Sequence, residues 1–291
     1  MLLQQIINGI TIGGIYALVA VGFTMVFGVL ELTNFAHSSV FMLGAYIAAT
    51  LFGKELGLST TIIMTIGACG VLGIIIDRFA LMPMRKREAS KVSYLICTIG
   101  MSTFLQNLVQ LVFGSAAISF PQVVGSGNLK IGNATVSYIQ IFIIILTLIL
   151  MAILTLLINK SRIGASMRGV AQNPRAAQLM GINVDSVISF TFFLGSALAA
   201  IAGIMVGMYY RTIDLNLGYI VSMKTFAAAV LGGIGVMPGA VLGGILIGVL
   251  ETLFSGYVHA GFKDSVSFII LIIVLMIKPE GLLGKKSINK V

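Results

Sequence analysis

Charged residues are scarce in this sequence of 291 residues. Asp, Glu, Lys and Arg make up 9% of it, whereas about 25% is usual for a soluble domain. So few charges cannot cover a water-soluble globule of this size, and hydrophobic residues reach 58% with a mean hydropathy of +1.08. A soluble enzyme or binding domain is therefore excluded, and we expect a lipid bilayer to cover most of the surface.

Cysteine and histidine are also rare. The two cysteines, Cys69 and Cys97, lie inside apolar stretches without metal-ligand spacing, so neither a disulfide framework nor a metal centre is predicted. The two histidines, His37 and His259, are accompanied by no cluster of carboxylates. We therefore expect no catalytic residues, no metal and no cofactor, which argues against a membrane enzyme.

Basic residues outnumber acidic ones, 18 to 9, and the formal net charge is +9. A nucleic-acid partner is not expected, because these residues lie in short gaps between apolar runs and not on one face of a soluble module. Cytoplasmic loops of membrane proteins hold the excess of Lys and Arg. The clusters assigned to the cytoplasm are Arg78, Arg85, Lys86, Arg87 and Lys91; Lys160, Arg162, Arg168 and Arg175; and Lys278, Lys285, Lys286 and Lys290. The gaps at Lys54 and Glu55, Arg211 and Asp214, and Lys263 and Asp264 are assigned to the outside, together with the N-terminus.

Long apolar runs predict the membrane spans, each of which needs about 20 residues. The runs cover residues 2–30, 38–53, 56–76, 92–114, 136–159, 187–210 and 266–277, the last extended to 283. A further run, 225–250, is broken by Pro238 and several glycines, so it gives one or two crossings. The first run has no basic region before it, and we take it as a retained helix and not as a signal peptide. The sequence predicts an all-α, polytopic membrane helix bundle of about eight or nine spans, forming one transmembrane domain over residues 1–291.

The longest polar stretch, at about 160–186, is expected in the cytoplasm. Asn173 is a suitable helix cap and Pro174 suits the first turn of a helix. Gly181 suits the end of that helix, because glycine tolerates the left-handed conformation. The small residues Ala176 and Ala177 would let such a helix lie flat against another surface. From spacing alone, a docking helix and an ordinary linker both remain open.

The spacing of Arg175, Ala176, Ala177 and Gly181 resembles the loop by which the permeases of ABC importers contact their ATPases, although that loop usually begins with Glu. Further resemblance to the permeases of branched-chain amino acid ABC importers lies in Asn8-Gly9 through Leu18, Asn34-Phe35-Ala36-His37, Gly100-Met101-Ser102 with Phe104-Leu105-Gln106-Asn107, and residues 224–239. The chain is most similar to the shorter, H-type permease of these importers. The resemblance implies the permease fold and inward transport of leucine, isoleucine and valine across the cell membrane of a prokaryote.

The same resemblance implies a set of partners. These are a second homologous permease subunit, two ATPase subunits that bind ATP, and an extracytoplasmic substrate-binding protein. The sequence has no phosphate-binding G-x-x-x-x-G-K-[ST] loop, so ATP hydrolysis is expected on the separate subunits.

Polar residues at membrane depth are candidates for the translocation pathway or its gate. Asn34 and His37 lie with Glu31 between the first two runs, and Glu251 ends a long charge-free run that Lys224 precedes. We predict that Asn34, His37 and Glu251 belong to the pathway or gate. A plain turn at Asn34, and groups that are paired or close to lipid headgroups, are the alternatives.

Glycines recur every four residues at Gly235, Gly239 and Gly243. In lipid, small residues at this spacing let helix backbones approach one another closely. The pattern predicts helix packing within the chain or at a subunit interface.

Three other transport functions remain open from sequence. The chain could be an ABC permease for other amino acids, urea or amides. An ion-coupled secondary transporter would show broken helices too, but it would need clearer intramembrane charge pairs and no docking loop. A passive channel would need a filter-like motif, which is not found in the sequence.

Overall fold

The structure, a computed structural model, describes residues 1–125, 127–132 and 134–284. Lys285, Lys286 and Lys290 of the third basic cluster lie outside the described residues. The helices are α1 (Leu2–Leu30), α2 (Ala36–Gly53), α3 (Leu58–Ile75), a π-helical stretch (Ile76–Leu81), α4 (Met82–Lys86), α5 (Lys91–Phe113), α6 (Tyr138–Lys160), α7 (Arg162–Gln172), α8 (Pro174–Leu179), α9 (Val184–Tyr210), α10 (Leu217–Gly232), α11 (Met237–Tyr257), a short 3-10 turn (Ala260–Phe262) and α12 (Lys263–Ile277). The predicted all-α membrane bundle is confirmed.

Strand structure is limited to short pieces between the helices. β1 (Ile118–Ser119) pairs antiparallel with β4 (Thr212–Ile213), and β2 (Asn128–Ile131) forms a hairpin with β3 (Ala134–Ser137). Three of these strands lie in the connection between α5 and α6, and β4 follows α9.

Helix α1 is the centre of the bundle and is buried over most of its length. It runs antiparallel to α11, because Gly9 faces Val249 while Gly28 faces Gly235 near the start of α11. A Cβ atom added to Gly13 would lie 2.8 Å from the Cα of Ile245. The two backbones therefore touch through glycines, the geometry that small residues allow in membranes.

Among the described residues, eight helices are long and apolar enough to cross a membrane: α1, α2, α3 with its continuation to Lys86, α5, α6, α9, α11 and the segment Ala260–Ile277. The shorter α10 begins level with the outer part of α5, where the Gln106 amide donates to the Leu215 carbonyl at 3.1 Å. It ends where the Leu282 and Leu283 amides donate to the Leu231 and Gly232 carbonyls after α12. With about 24 Å of length it crosses most of the hydrocarbon, so nine helices of the described residues run between the two ends of the bundle.

The charged gaps sort to the two ends as predicted from the charge pattern. The first two basic clusters meet, since Arg175 lies 4.0 Å from Glu88 and Arg85 lies 3.4 Å from Asp185. We call this the basic end. At the opposite end, the Phe120 amide donates to the Arg211 carbonyl, and Lys263 lies over the Tyr210 ring.

Several predicted helix boundaries are wrong, among them the run 225–250, since α10 begins at Leu217 and α11 ends at Tyr257. The third span does not end at Asp77 but continues to Lys86, because Asp77 is buried and paired inside the bundle. The second helix begins at Ala36 and not after His37, and the Asn34 side-chain oxygen accepts a hydrogen bond from the Ala36 amide just before it. The last helix ends at Ile277, and the chain after it turns at Gly281, with φ +78°, to bond the end of α10.

Candidate functional site

Helix α8 at the basic end has the caps that its sequence indicates. The Asn173 Oδ1 accepts a hydrogen bond from the Ala176 amide at 3.0 Å, and Pro174 occupies the first turn. Gly181 follows the helix with φ +82°, a conformation that favours glycine. An added Cβ at Gly181 would meet nothing within 4 Å, so the space beside it is open.

The outward face of α8 is unusually apolar for a polar end of the molecule. Ala177 is buried, whereas Arg175 and Ala176 are exposed. The side chains that follow, Leu179 and Met180, are 89% and 82% exposed. Exposed apolar groups rimmed by polar residues are typical of a surface that binds another protein.

A cleft of about 730 Å³ lies beside α8 at the basic end. It separates α8 from the ends of α1 and α5. Its lining combines apolar, basic and acidic side chains: Val29, Leu30, Leu32, Arg85, Lys86, Tyr94, Pro174, Gln178, Gly181, Ile182, Asn183, Val184, Asp185 and Ile188. Any change in the position of α8 would therefore alter this cleft and the helices that line it.

Behind α8, a network of ion pairs and hydrogen bonds connects the continuation of α3 (residues 76–86) to α9. The Arg85 guanidinium contacts Asp77 at 2.5 Å and Asp185 at 3.4 Å, and the Ser189 hydroxyl donates to Asp77 at 2.7 Å. Asp77 is fully buried, and the π-helical stretch that contains it brings the Arg85 side chain back toward it. Sequence reasoning treated Asp77 only as a span boundary, although an acid inside a basic cluster was a signal of pairing.

The segment with Asn34 and His37 enters the bundle and does not face lipid. Asn34 is buried, and its Oδ1 accepts from the Ala36 amide at 3.1 Å. His37 is buried against α1, where an added Cβ at Gly22 would lie 3.0 Å from its ring. Phe35 packs against Phe226 of α10 with ring centroids 6.3 Å apart. Irregular backbone thus lies at membrane depth and is covered by protein, as physics requires.

Glu251 lies in a buried charge cluster with Tyr16, Lys224 and Asp264. The Lys224 ammonium contacts Glu251 at 2.5 Å, Asp264 at 2.6 Å and the Tyr16 hydroxyl at 3.1 Å. The Tyr16 hydroxyl donates to the second Glu251 oxygen at 3.1 Å. The side chains of Lys224 and Glu251 are 4% and 3% exposed, whereas that of Asp264 is 45% exposed.

The buried charge cluster joins four helices, α1, α10, α11 and α12. It lies toward the end of the bundle that is opposite the basic end. Of the alternatives weighed for Lys224, the structure shows the paired one. Sequence reasoning missed Tyr16 and Asp264, because their partners lie far away in the chain. A cavity of about 200 Å³ opens beside the cluster and is lined by Ile12, Ile15, Tyr16, Val206, Tyr210, Thr212, Asp214, Leu217, Ile220, Val221, Lys224, Lys263 and Asp264.

The predicted packing glycines lie at the contact between α10 and α11 of the same chain. An added Cβ at Gly239 would collide with the Gly232 carbonyl, and one at Gly243 would collide with the Ala228 carbonyl. Gly235 lies in the break before α11 with φ +86°. The break is therefore possible because glycine adopts that φ and lets the two helices close on each other.

The described residues contain no group of three or more His, Cys, Asp or Glu side chains that could hold a metal ion. The arrangement positions helices, with buried polar groups at Asp77, at Asn34 and His37, and at the cluster around Lys224.

Comparison with known proteins gives a consistent result. Residues 5–275 match the family profile described as the permease component of the branched-chain amino acid transport system. The high-affinity branched-chain amino acid transport permease LivH of Salmonella typhimurium is 40% identical over 304 aligned positions, covering 99% of this chain and 97% of the relative. The corresponding permease BraD of Pseudomonas aeruginosa is 40% identical over 303 positions, covering 99% and 98%.

A more distant relative covers only part of the chain. The autoinducer 2 import permease LsrC of Yersinia enterocolitica is 31% identical over 138 positions, which is 45% of this chain and 38% of the relative. No solved structure matches the chain significantly.

Proposed function

The chain belongs to the family of permease components of the branched-chain amino acid transport system, and we propose that it is a membrane-spanning permease subunit of an ABC importer for leucine, isoleucine and valine. The observation that carries this proposal is the 40% identity to branched-chain amino acid permeases over 99% of the chain. The matched residues include every span and α8.

The assembly that we propose contains a second homologous permease, two ATPase subunits and an extracytoplasmic binding protein, in the cell membrane of a prokaryote. The ATPases hydrolyse ATP and this chain performs no covalent chemistry. Support comes from α8, which exposes Ala176, Leu179 and Met180 at the basic end. We propose that an ATPase docks on α8, with Arg175, Ala176, Ala177 and Gly181 in or beside the contact. The basic end is then cytoplasmic.

We also propose that Asn34, His37 and Glu251 belong to the gate of the route. The broken segment before α2 touches α10 through Phe35 and Phe226, and α10 holds Lys224 of the buried charge cluster. A movement of α10 would therefore reach both groups of residues. This physical linkage supports the assignment.

The buried ion pair is also the feature expected of an ion-coupled secondary transporter. Here the Lys224 ammonium donates hydrogen bonds to Glu251 and to the Tyr16 hydroxyl and forms an ion pair with Asp264. A closed group of this kind fits a tie between helices better than a site that takes up and releases an ion. Family membership and the exposed α8 favour the ABC permease.

Uptake into liposomes tests the proposal. The chain is reconstituted with its second permease, its ATPases and its binding protein, with ATP enclosed on the ATPase side. We expect accumulation of labelled leucine that requires ATP and the binding protein, and competition by isoleucine and valine but not by urea. Uptake driven by an ion gradient without ATP would overturn the proposal, and so would ATP-dependent uptake of urea but not of leucine.

Docking on α8 is tested with two variants at Gly181. Gly181→Trp fills the open space beside α8, whereas Gly181→Asn tolerates the positive φ without that bulk. We expect Gly181→Trp to insert and fold but to lose leucine-stimulated ATP hydrolysis, and Gly181→Asn to retain it. Equal stimulation in both variants would show that α8 does not contact the ATPase.

A further inference from the structure

Helix α5 has a row of small and polar residues on an exposed face that also carries apolar side chains such as Ile96 and Leu111. Gly100, Thr103, Asn107 and Gln110 are spaced by three or four residues and are all exposed. At about 100° per residue they occupy an arc of about 80° on the helix. We call these four residues the α5 stripe.

The other outer helices differ from α5. Their exposed faces at membrane depth are mainly apolar: Ile63, Met64 and Val71 on α3; Ile145, Leu148, Ile149 and Ile153 on α6; and Phe268, Ile269, Ile272 and Ile273 on α12. The exposed Thr155 of α6 bonds the Met151 carbonyl of its own helix at 2.7 Å. The polar Gln140 and Thr147 of α6 face inward and are buried. These three faces have the composition that lipid requires, and α5 does not.

Some polar groups of the α5 stripe have no hydrogen-bond partner within the described residues. Thr103 donates to the Ile99 carbonyl at 3.0 Å, and the Asn107 amide nitrogen donates to the Thr103 carbonyl at 2.8 Å. The Asn107 amide oxygen and the whole Gln110 amide make no hydrogen bond there. In hydrocarbon, each unsatisfied group of this kind would cost several kcal/mol. Asn107 lies about 24 Å along a helix of about 34 Å, still within the depth of the hydrocarbon, so its unpaired amide oxygen disfavours lipid as the cover of this face.

Beside the stripe, α5 contacts two irregular segments of the bundle. The Ser102 hydroxyl bonds the Ser39 hydroxyl at 2.7 Å at the start of α2, and Gln106 bonds the Leu215 carbonyl just before α10. Irregular backbone at membrane depth is tolerated where it lies in protein or beside water, and in transporters such breaks mark the substrate site. The α5 stripe thus lies on the helix that is hydrogen-bonded to both of these segments.

The interior of the chain is too closely packed to serve as the route. Between the cavity at Tyr16 and the cleft at Val29, residues 17–26 of α1 are all buried. A Cβ added to Gly44 of α2 would lie 2.7 Å from the Cα of Ala200, so α2 and α9 close together as well. The close packing of α1, α2 and α9 therefore favours a route along the surface of this chain.

We propose that the α5 stripe is this chain's wall of the substrate route, with the second permease subunit supplying the opposite wall. The inference rests on the proposed function. Hydroxyl and amide groups can bond the ammonium and carboxylate of a free amino acid, and because they are neutral they do not hold it as a charge pair would. The neighbouring Phe104 and Leu111, which are 59% and 84% exposed, supply apolar contact for a branched side chain.

The test uses single cysteines in the complete reconstituted complex, after Cys69→Ala and Cys97→Ala remove the native thiols. Thr103→Cys is compared with Ile149→Cys, which is exposed at the same depth on the apolar face of α6. A small charged thiol reagent reacts with thiolate in water and not with a thiol in lipid. We expect labelling of Thr103→Cys to be on the order of tenfold faster than that of Ile149→Cys, and to be slowed by leucine.

Two results would overturn the inference. Equally slow labelling at both positions, with normal subunit assembly, would mean that lipid covers the α5 stripe. If Thr103→Cys is not labelled, and if Asn107→Leu loses the second permease during purification, the α5 stripe is a dry contact between proteins. Leucine uptake by the cysteine-free complex is measured first, and its failure would count against the proposed function alone, because fast labelling at Thr103 depends on water and not on which solute is carried.

Discussion

Replacing Lys224 with methionine keeps the length of the side chain and removes its charge. In the folded protein this leaves Glu251, whose side chain is 3% exposed, with only the Tyr16 hydroxyl as a partner. Removing one member of a buried ion pair costs about 3–5 kcal/mol, because the other charge stays buried without compensation. We therefore expect Lys224→Met to be strongly destabilised.

The structure also predicts the order within a set of variants. In Glu251→Gln, Lys224 keeps Asp264 at 2.6 Å and Tyr16 at 3.1 Å as partners. The free energy of unfolding should therefore fall by only about 1.5–3 kcal/mol, the contribution of one hydrogen bond to a charged group. The double variant Lys224→Met with Glu251→Gln removes both charges. Its loss should fall short of the sum of the single losses by about 1–3 kcal/mol, because the residues are in direct contact.

Thermal unfolding in detergent checks these values. The chain has no tryptophan, so the folded fraction after heating is followed by size-exclusion chromatography of a fluorescently tagged protein. A loss of 3–5 kcal/mol corresponds to a fall in Tm on the order of 10 °C for a chain of this size. Lys263→Met is the matched control, since that ammonium makes only a cation–π contact with Tyr210 at 5.9 Å. We expect it to change Tm little.

A Lys224→Met protein as stable as the wild type would refute the reasoning. It would mean that Glu251 is neutral in the fold or reaches water, and that the buried charge cluster does not hold α10, α11 and α12 to α1. A strict sum of the two single losses in the double variant would refute the direct pairing of Lys224 with Glu251.

Other variants test separate parts of the structure. Gly243→Ala should lower Tm because its Cβ meets the Ala228 carbonyl, whereas Gly67→Ala, with nothing within 4 Å, should not; equal Tm values would refute the close contact of α10 and α11. Asn34→Leu should assemble normally yet lose most leucine uptake, whereas loss of the cap alone would cost about 1 kcal/mol and leave uptake intact. A cysteine at Gln172 should react with an impermeant reagent only from the cytoplasmic side, and one at Lys263 only from outside; the reverse would invert the proposed topology.

Hydropathy predicted the helices because each span must satisfy its own backbone in lipid. The positions of six spans follow from apolar runs to within a few residues. The errors arise where polar groups enter the bundle. Asp77 looked like the end of a span, but its pairing with Arg85 and Ser189 lets the helix continue through it. Local sequence does not show whether a charge inside a run has a partner.

The candidate site was predictable to different extents. The local structure of α8 follows from Asn173, Pro174 and Gly181, because capping and glycine φ depend on neighbouring residues alone. That Leu179 and Met180 are exposed could not be predicted, since an apolar residue next to a bundle could equally pack into it. The polar residues of α5 were visible as a motif, but not the face on which each one lies.

By itself, the sequence determined that the chain is a membrane bundle, where its helices run, and which ends share the basic clusters. These properties follow from hydropathy, charge and capping, which act over a few neighbouring residues. Only the tertiary structure decided that Glu251 binds Lys224, Tyr16 and Asp264, that the glycines of α11 meet α10 and α1, and that Thr103, Asn107 and Gln110 face outward. These properties depend on contacts between residues far apart in the chain, which are fixed only when the helices pack.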